Sequence, residues 1–239
     1  MTEAIPPALL IKSDYFDTPL KFVAGSVDKP IYSNMVEAIA DKIRAKIKAE
    51  GQYVLVIRGG TGSGKSNLAM QIIREINPAF KFEETYLYSP VDLARKLESG
   101  CAEPINWYDE AIVMFNSLNV MTAGGRMMGS YFDTMRLDHN INILCLPNDE
   151  EIDGRVRKHM DLLIECCEKS PLPKWADFSP RGFFEVINRR HYRSGKHYDD
   201  VVGVGYCRAV PKRMKIEYEK IKKAHADEFK KKFIKKLLE

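Results

Sequence analysis

Hydrophobic positions along this chain keep switching between a helical rhythm and short solid runs. Met35, Val36, Ile39, Ala40, Ile43 and Ile47 recur at helical spacing after Ser33, which can cap the helix, and Gly51 lies where such a helix would stop. The run Tyr53-Val54-Leu55-Val56-Ile57 then reads as a buried strand, and Asn67 to Ile76 returns to a helical pattern. After Asn77-Pro78 come a short strand at Thr85 to Tyr88, the break Ser89-Pro90 and a helix over Val91 to Leu97. The strand Ile105 to Tyr108 ends in Asp109-Glu110. A helix through Tyr131 to Leu137, a strand at Ile141 to Leu146, a helix from Glu150 to His159 and a strand at Leu162 to Cys166 complete the series. Strands alternating with helices predict an α/β fold, a mostly parallel sheet covered on both faces in a three-layer sandwich.

Beyond residue 180 the pattern changes. Gly182 to Ile187 and Val201 to Tyr206 are β-like runs joined across Ser194-Gly195, as in an antiparallel hairpin. Pro211 then opens a long lysine-rich helix with Tyr218, Ile221, Phe229, Phe233 and Leu237 near one face. The expected division is an N-terminal segment and helix over 1–50, a core with its hairpin over 51–210, and a basic tail helix over 211–239.

Between the first solid strand and the next helix stands Gly59-Gly60-Thr61-Gly62-Ser63-Gly64-Lys65-Ser66, a complete GxxxxGK[ST] phosphate-binding loop. The motif works only where a strand ends and a helix begins, and here both flanks are in place. Its glycines let the backbone wrap a phosphate, so that successive N–H groups and the helix N-terminus, from Gly59 through Asn67, face negative charge. Lys65 can reach the β- and γ-phosphates as a point charge, and the Ser66 hydroxyl is placed to ligand Mg²⁺. Hydrolysis also needs a second metal anchor and a base for water. Asp109 at the end of a neighbouring strand suits the first role and Glu110 the second, although acids also cap helices. No guanine-specifying NKxD motif follows the strands, so the expected cofactors are ATP and Mg²⁺.

Composition narrows the setting. With 239 residues and 45% apolar content the chain can bury a real core. No window approaches the roughly 20 apolar residues of a membrane span, and residues 1–10 lack the layout of a secretory signal. Five cysteines without CxxC spacing read as reduced thiols, which points to the cytoplasm. The formal charge of +4 is uneven: residues 211–239 carry 11 Lys+Arg against 5 Asp+Glu, leaving 26 basic against 28 acidic residues elsewhere. A polyanion or an acidic partner meeting the C-terminus is implied.

Over about residues 52–167, the P-loop, the second carboxylate of Asp109-Glu110 and a strand set between the P-loop strand and the acidic one resemble the additional-strand catalytic-glutamate division of P-loop ATPases. That resemblance implies a γ-phosphate sensor at the tip of the strand after the acidic one, where Asn148 stands. It also implies an arginine supplied by a neighbouring subunit. The run from Asn148 to Asp161 is similar to the sensor-to-finger stretch of AAA+ ATPases and of the FtsK/HerA group, which makes Arg155 and Arg157 candidates. Arg136 is a third under the FtsK/HerA resemblance. Compact size, the hairpin after the core and the lack of a helical lid favour FtsK/HerA, with its packaging and translocating ATPases. Asn148 in place of a glutamine, and the helix running into the P-loop strand, lean toward AAA+.

For nucleic acid, Arg189, Arg190, Arg193 and Lys196 interleave with His191, Tyr192, His197 and Tyr198 near the hairpin tip, a mixture suited to phosphate contact and stacking. Arg126, in the loop Thr122 to Gly129, would face the pore of a ring. The tail helix fits either a basic arm on nucleic acid or an amphipathic helix docking on another subunit. The expectation that follows is an oligomeric ATP-driven motor acting on double-stranded DNA. An AAA+-like initiator or loader, and a nucleotide-switched module recruiting a protein through its tail, remain as alternatives.

Overall fold

The computed structural model describes residues 9–25, 30–115, 130–134, 139–167, 182–191 and 197–238. Arg126, Arg136, Arg193 and Lys196 lie outside these residues, as does the loop Thr122 to Gly129. The described strands form one sheet in the order β1 (Leu9–Ile11), β2 (Leu20–Gly25), β3 (Pro30–Tyr32), β10 (His197–Cys207), β9 (Gly182–His191), β8 (Leu162–Cys167), β4 (Tyr53–Arg58), β7 (Ile141–Leu146), β6 (Ile105–Tyr108), β5 (Tyr86–Leu87).

Its centre is the parallel block β8 (Leu162–Cys167), β4 (Tyr53–Arg58), β7 (Ile141–Leu146), β6 (Ile105–Tyr108) and β5 (Tyr86–Leu87). β7 therefore sits between the P-loop strand β4 and the acidic strand β6, whereas the strand that lies between those two in sequence, β5, takes the edge of the sheet beyond β6. Each strand of this block is covered on both faces, which is why it reads as a solid apolar run. Tyr53, Leu55 and Ile57 of β4 enter one core with α1 (Met35–Glu50) and α2 (Lys65–Ile76), while Val54 and Val56 enter a second with Phe115, Phe132 and Val156. The three layers are thus helices, sheet and helices.

Local signals set most boundaries. Gly51 ends α1 in the left-handed conformation, φ 88°, with its N–H on the Ile47 carbonyl. Helix α3 (Phe82–Thr85) leads into β5, and α4 (Pro90–Glu98) starts with a capping box in which Ser89 and Asp92 exchange hydrogen bonds. Helix α5 (Ala111–Phe115) follows the acidic pair, and residues 130–134 form α6.

Three expectations are corrected. Ser33 does not cap α1: Asn34 flanks it, and the Asn34 amide spans the Lys21 N–H and the Pro19 carbonyl, tying the helix start to a strand. The expected helix from Glu150 to His159 divides into a 3-10 turn, Asp149–Glu151, and α7 (Gly154–Lys158), because buried Ile152 takes an extended conformation and Asp153 caps the second piece. Residues 9–32 contain an unforeseen antiparallel meander, β1 (Leu9–Ile11), β2 (Leu20–Gly25) and β3 (Pro30–Tyr32), which joins the sheet where β3 pairs in parallel with β10. The hairpin is longer than its apolar runs, with β9 (Gly182–His191) paired to β10 (His197–Cys207) and, on its other edge, to β8.

Helix α8 (Lys212–Leu238) spans 27 residues. It is not held apart from the core. Tyr218 is buried and stacks on Trp107 at 5.4 Å between ring centroids, with Phe82 and Tyr86 beside it. Further along, His225 stacks on Tyr88 at 5.6 Å. The apolar face read from the sequence is in this part an internal one; the side chains of Phe229, Phe233 and Leu237 lie outside those described. Among the described residues no helix is long and apolar enough to cross a membrane.

Candidate active site

The P-loop leaves β4 at Arg58 and enters α2 at Lys65. Gly64 adopts φ 98° at the helix start, a left-handed conformation that a side chain would strain, and no side chain caps α2. The first N–H groups of a 12-residue helix are thus directed into the loop without a side-chain acceptor, the condition for anion binding. Gly59 is constrained differently: at φ +148° a Cβ there would lie 2.8 Å from Ser63 Oγ and 3.0 Å from the Cys166 carbonyl. Ser63 Oγ is buried without a hydrogen-bond partner in the protein. Thr61 and Gly60 stand at the open side of the turn, and the Lys65 ammonium curls over it, donating to the carbonyls of Gly59 at 2.7 Å and Gly60 at 2.8 Å.

The sheet order carries Asp109-Glu110 to this loop. Asp109, 3% exposed, ends β6, and its Oδ1 accepts from Ser66 Oγ at 2.6 Å. Two hard oxygen donors from separate elements therefore converge beside the phosphate cradle, which is the donor set Mg²⁺ takes when it is held chiefly by substrate phosphate and water. With the orphaned Ser63 hydroxyl and the uncapped α2, the residues present fit a Mg²⁺-nucleotide. Glu110, next to Asp109, is partly exposed at the mouth.

Sequence reasoning missed two participants, both on α8. Tyr218 Oη donates to Asp109 Oδ2 at 2.7 Å; Lys222 Nζ donates to the same oxygen at 2.7 Å and to Glu110 Oε1 at 3.0 Å. Burial acts to lower the Lys222 pKa, but the Asp109 charge and hydrogen bond outweigh it and hold the ammonium above its usual range. Burial, followed by the Asp109 charge, pushes the Tyr218 phenol up. The available signal was the i, i+4 spacing that puts Tyr218 and Lys222 on one face, masked by the lysine content around them. A cleft beside the loop is lined by Gly62, Gly64, Ser66, Asn67, Lys215 and Tyr218. Asn67 also bonds the link before α8, its Nδ2 donating to the Arg208 carbonyl and its Oδ1 accepting from Val210 N–H.

The other candidates sit further out. Asn148 follows β7 at its C-terminal end, and its Oδ1 caps the 3-10 turn by accepting from Glu150 N–H. Arg155 pairs with Asp153 at 2.7 Å, and Arg157 donates to the carbonyls of Glu150 and Ile152. These contacts join neither arginine to the P-loop of its own chain. Arg189 is corrected as a nucleic-acid contact: its side chain is 6% exposed and forked between Asp149 and Asp199. Asp149, fully buried, also takes Arg58, which reaches Glu165 as well. This network fastens the end of the P-loop strand to the hairpin. Arg190 lies in β9.

No protein-family model matches the chain, and no curated protein sequence matches it. Among solved structures, the DNA-packaging ATPase B204 from Sulfolobus Turreted Icosahedral Virus is similar over 62% of this chain and 96% of that chain, at 15% identity and TM-score 0.40. The genome packaging NTPase B204 from Sulfolobus turreted icosahedral virus 2 in complex with ATP-gammaS matches over the same shares at 14% identity and TM-score 0.40. Its complex with AMPPCP gives 15% and 0.38. At these scores the chemistry of the site rests on its own residues.

Proposed function

We propose that this chain is a Mg²⁺-dependent ATP hydrolase and that, as an oligomer, it uses turnover to move or package double-stranded DNA. The observation that carries the hydrolase reading is the 2.6 Å contact between Ser66 of the P-loop and Asp109 of β6, with Glu110 beside it. A loop that only bound phosphate would not need two carboxylates brought to it from a strand two places away in the sheet.

In this account the α2 amides and Lys65 bind and orient the phosphates, fixing the reacting phosphoryl group by backbone and point charge. Ser66 and Asp109 would hold Mg²⁺, which would neutralise charge on the phosphates. Glu110 accepts a proton from the attacking water through its carboxylate oxygen. Its position, attached to Asp109 but nearer solvent, suits a base that must meet water while its neighbour stays buried. Asn148, Arg155 and Arg157 are assigned outer roles: Asn148 as the γ-phosphate sensor after β7 and the arginines as groups offered to a neighbouring subunit, with Arg136 added to these from the sequence and Arg126 added as a pore-loop contact to DNA.

The DNA part of the proposal is supported by the basic sequence at the far end of the hairpin, where Arg190 lies in β9 and Arg193 and Lys196 follow in sequence, and by the lysine-rich outer face of α8. ATP hydrolysis measured with and without double-stranded DNA tests it. Stimulation that weakens steeply with salt is expected, and a rate indifferent to DNA in an intact oligomer would remove the motor reading.

A further inference from the structure

We propose that α8 is an autoinhibitory latch: Lys222 and Tyr218 occupy the carboxylates of Asp109 and Glu110 and must withdraw before these residues can hold a Mg²⁺-nucleotide and activate water. This inference rests on the hydrolase reading above and adds a control to the same site.

The hydrogen-bond inventory of Asp109 is the first argument. A carboxylate only accepts, and this one receives Ser66 on Oδ1 and both Tyr218 and Lys222 on Oδ2. Lys222 simultaneously holds Glu110. An ammonium shared by two adjacent carboxylates supplies the positive charge that a divalent ion would bring, so the two cations compete for one acceptor set. A base already accepting from an ammonium is also poorly placed to take a proton from water. The latch therefore blocks both functions through one side chain.

How α8 is attached supplies the second argument. The link after β10 is pinned to α2: Asn67 and Gln71 both donate to the Arg208 carbonyl, and Val210 N–H returns to Asn67. Beyond Pro211 the helix presents a narrow inner face. Tyr218 is buried, Met214, Ile221 and Lys222 are half-buried, and the positions between are mostly exposed. An element fixed at its root and held along one stripe can swing without unfolding the sheet. Its Tyr218 ring lies on Trp107 of the strand that ends in Asp109, so displacement of the helix and release of the carboxylate are one movement. Asn67, at the start of α2, is also in the pinned link, so occupancy of the P-loop bears directly on the root of α8.

The test uses the full chain and two readouts. Binding of Mg²⁺·ATPγS is titrated calorimetrically for the wild type, Lys222→Ala and Tyr218→Phe, the last keeping the ring stack while removing the hydroxyl. Hydrogen exchange of residues 212–226 is followed in the wild type as the same ligand is added. The latch predicts roughly tenfold tighter binding for Lys222→Ala, a smaller gain for Tyr218→Phe, and faster exchange along 212–226 on ligand addition. Equal affinities with unchanged or increased protection of α8 would overturn the latch and leave nucleotide binding intact. Absence of binding in all three proteins would overturn the hydrolase reading and the latch with it.

Discussion

At the scale of single residues the chain separates groups that do chemistry from groups that hold them. The contact given for the Glu110 side chain is with Lys222 of α8, so Glu110→Gln should leave the folded protein in place and its nucleotide binding intact or, where it loosens Lys222, tighter. It should also lower turnover by roughly 10²–10⁴-fold, read as kcat under saturating ATP. Lys65→Ala should instead lose nucleotide binding, seen by titration. Asp149 represents the other class. It is fully buried between Arg58 and Arg189, and Asp149→Asn leaves two guanidinium groups short of a charge, which should cost about 3–5 kcal/mol in urea unfolding. Burial raises its pKa, but the hydrogen bonds and charges of Arg58 and Arg189 prevail and hold it below the ordinary carboxylate range. A group lowered in the folded state stabilises above its unfolded value of about 4 and loses that contribution as pH falls through its folded value. The wild type should therefore lose stability in acid more steeply than Asp149→Asn, as unfolding midpoints from pH 6 to pH 2 would show. The P-loop and Asp109-Glu110 could be read from the sequence because their chemistry depends on consecutive residues. Arg189 could not be placed, since an arginine in a basic stretch looks alike whether it faces water or, 40 positions away in sequence, Asp149.

At the scale of elements, legibility follows how local the cause is. β4, α2, β7 and β8 were readable to within a residue or two because burial on both faces or along one helical stripe writes itself into the apolar pattern. β1, β2 and β3 were not, because they are short and their alternation is interrupted: Leu10 and Val23 are exposed, and the register shifts between Phe22 and Ala24. They are strands because neighbours supply hydrogen bonds: β1, β2 and β3 pair with one another, and β3 is joined to the sheet by β10, far away in sequence. α8 was recognised as a helix but misjudged as an appendage, since the lysine count describes its outer face and Tyr218 its inner one. Tyr218→Ala should leave a cavity against Trp107, Phe82 and Tyr86 and destabilise the protein by about 3–5 kcal/mol, measured by denaturant unfolding. Loss of well under 1 kcal/mol would mean that α8 is only loosely held against the sheet.

At the scale of the whole molecule, one sheet joins three functions that the sequence lists far apart. The P-loop and the acidic pair meet through the strand order, the hairpin is fastened to the P-loop strand through Arg58, Asp149 and Arg189, and α8 closes over the carboxylates. The nucleotide site is thus connected by hydrogen bonds both to the hairpin and to α8. The most direct test is steady-state ATP hydrolysis by the intact wild type and by Glu110→Gln, each with and without double-stranded DNA. The account predicts Mg²⁺-dependent turnover that DNA raises and that Glu110→Gln lowers by roughly 10²–10⁴-fold under both conditions. Turnover that Glu110→Gln leaves near the wild-type rate, or a wild type that hydrolyses no ATP even with DNA present, would contradict it.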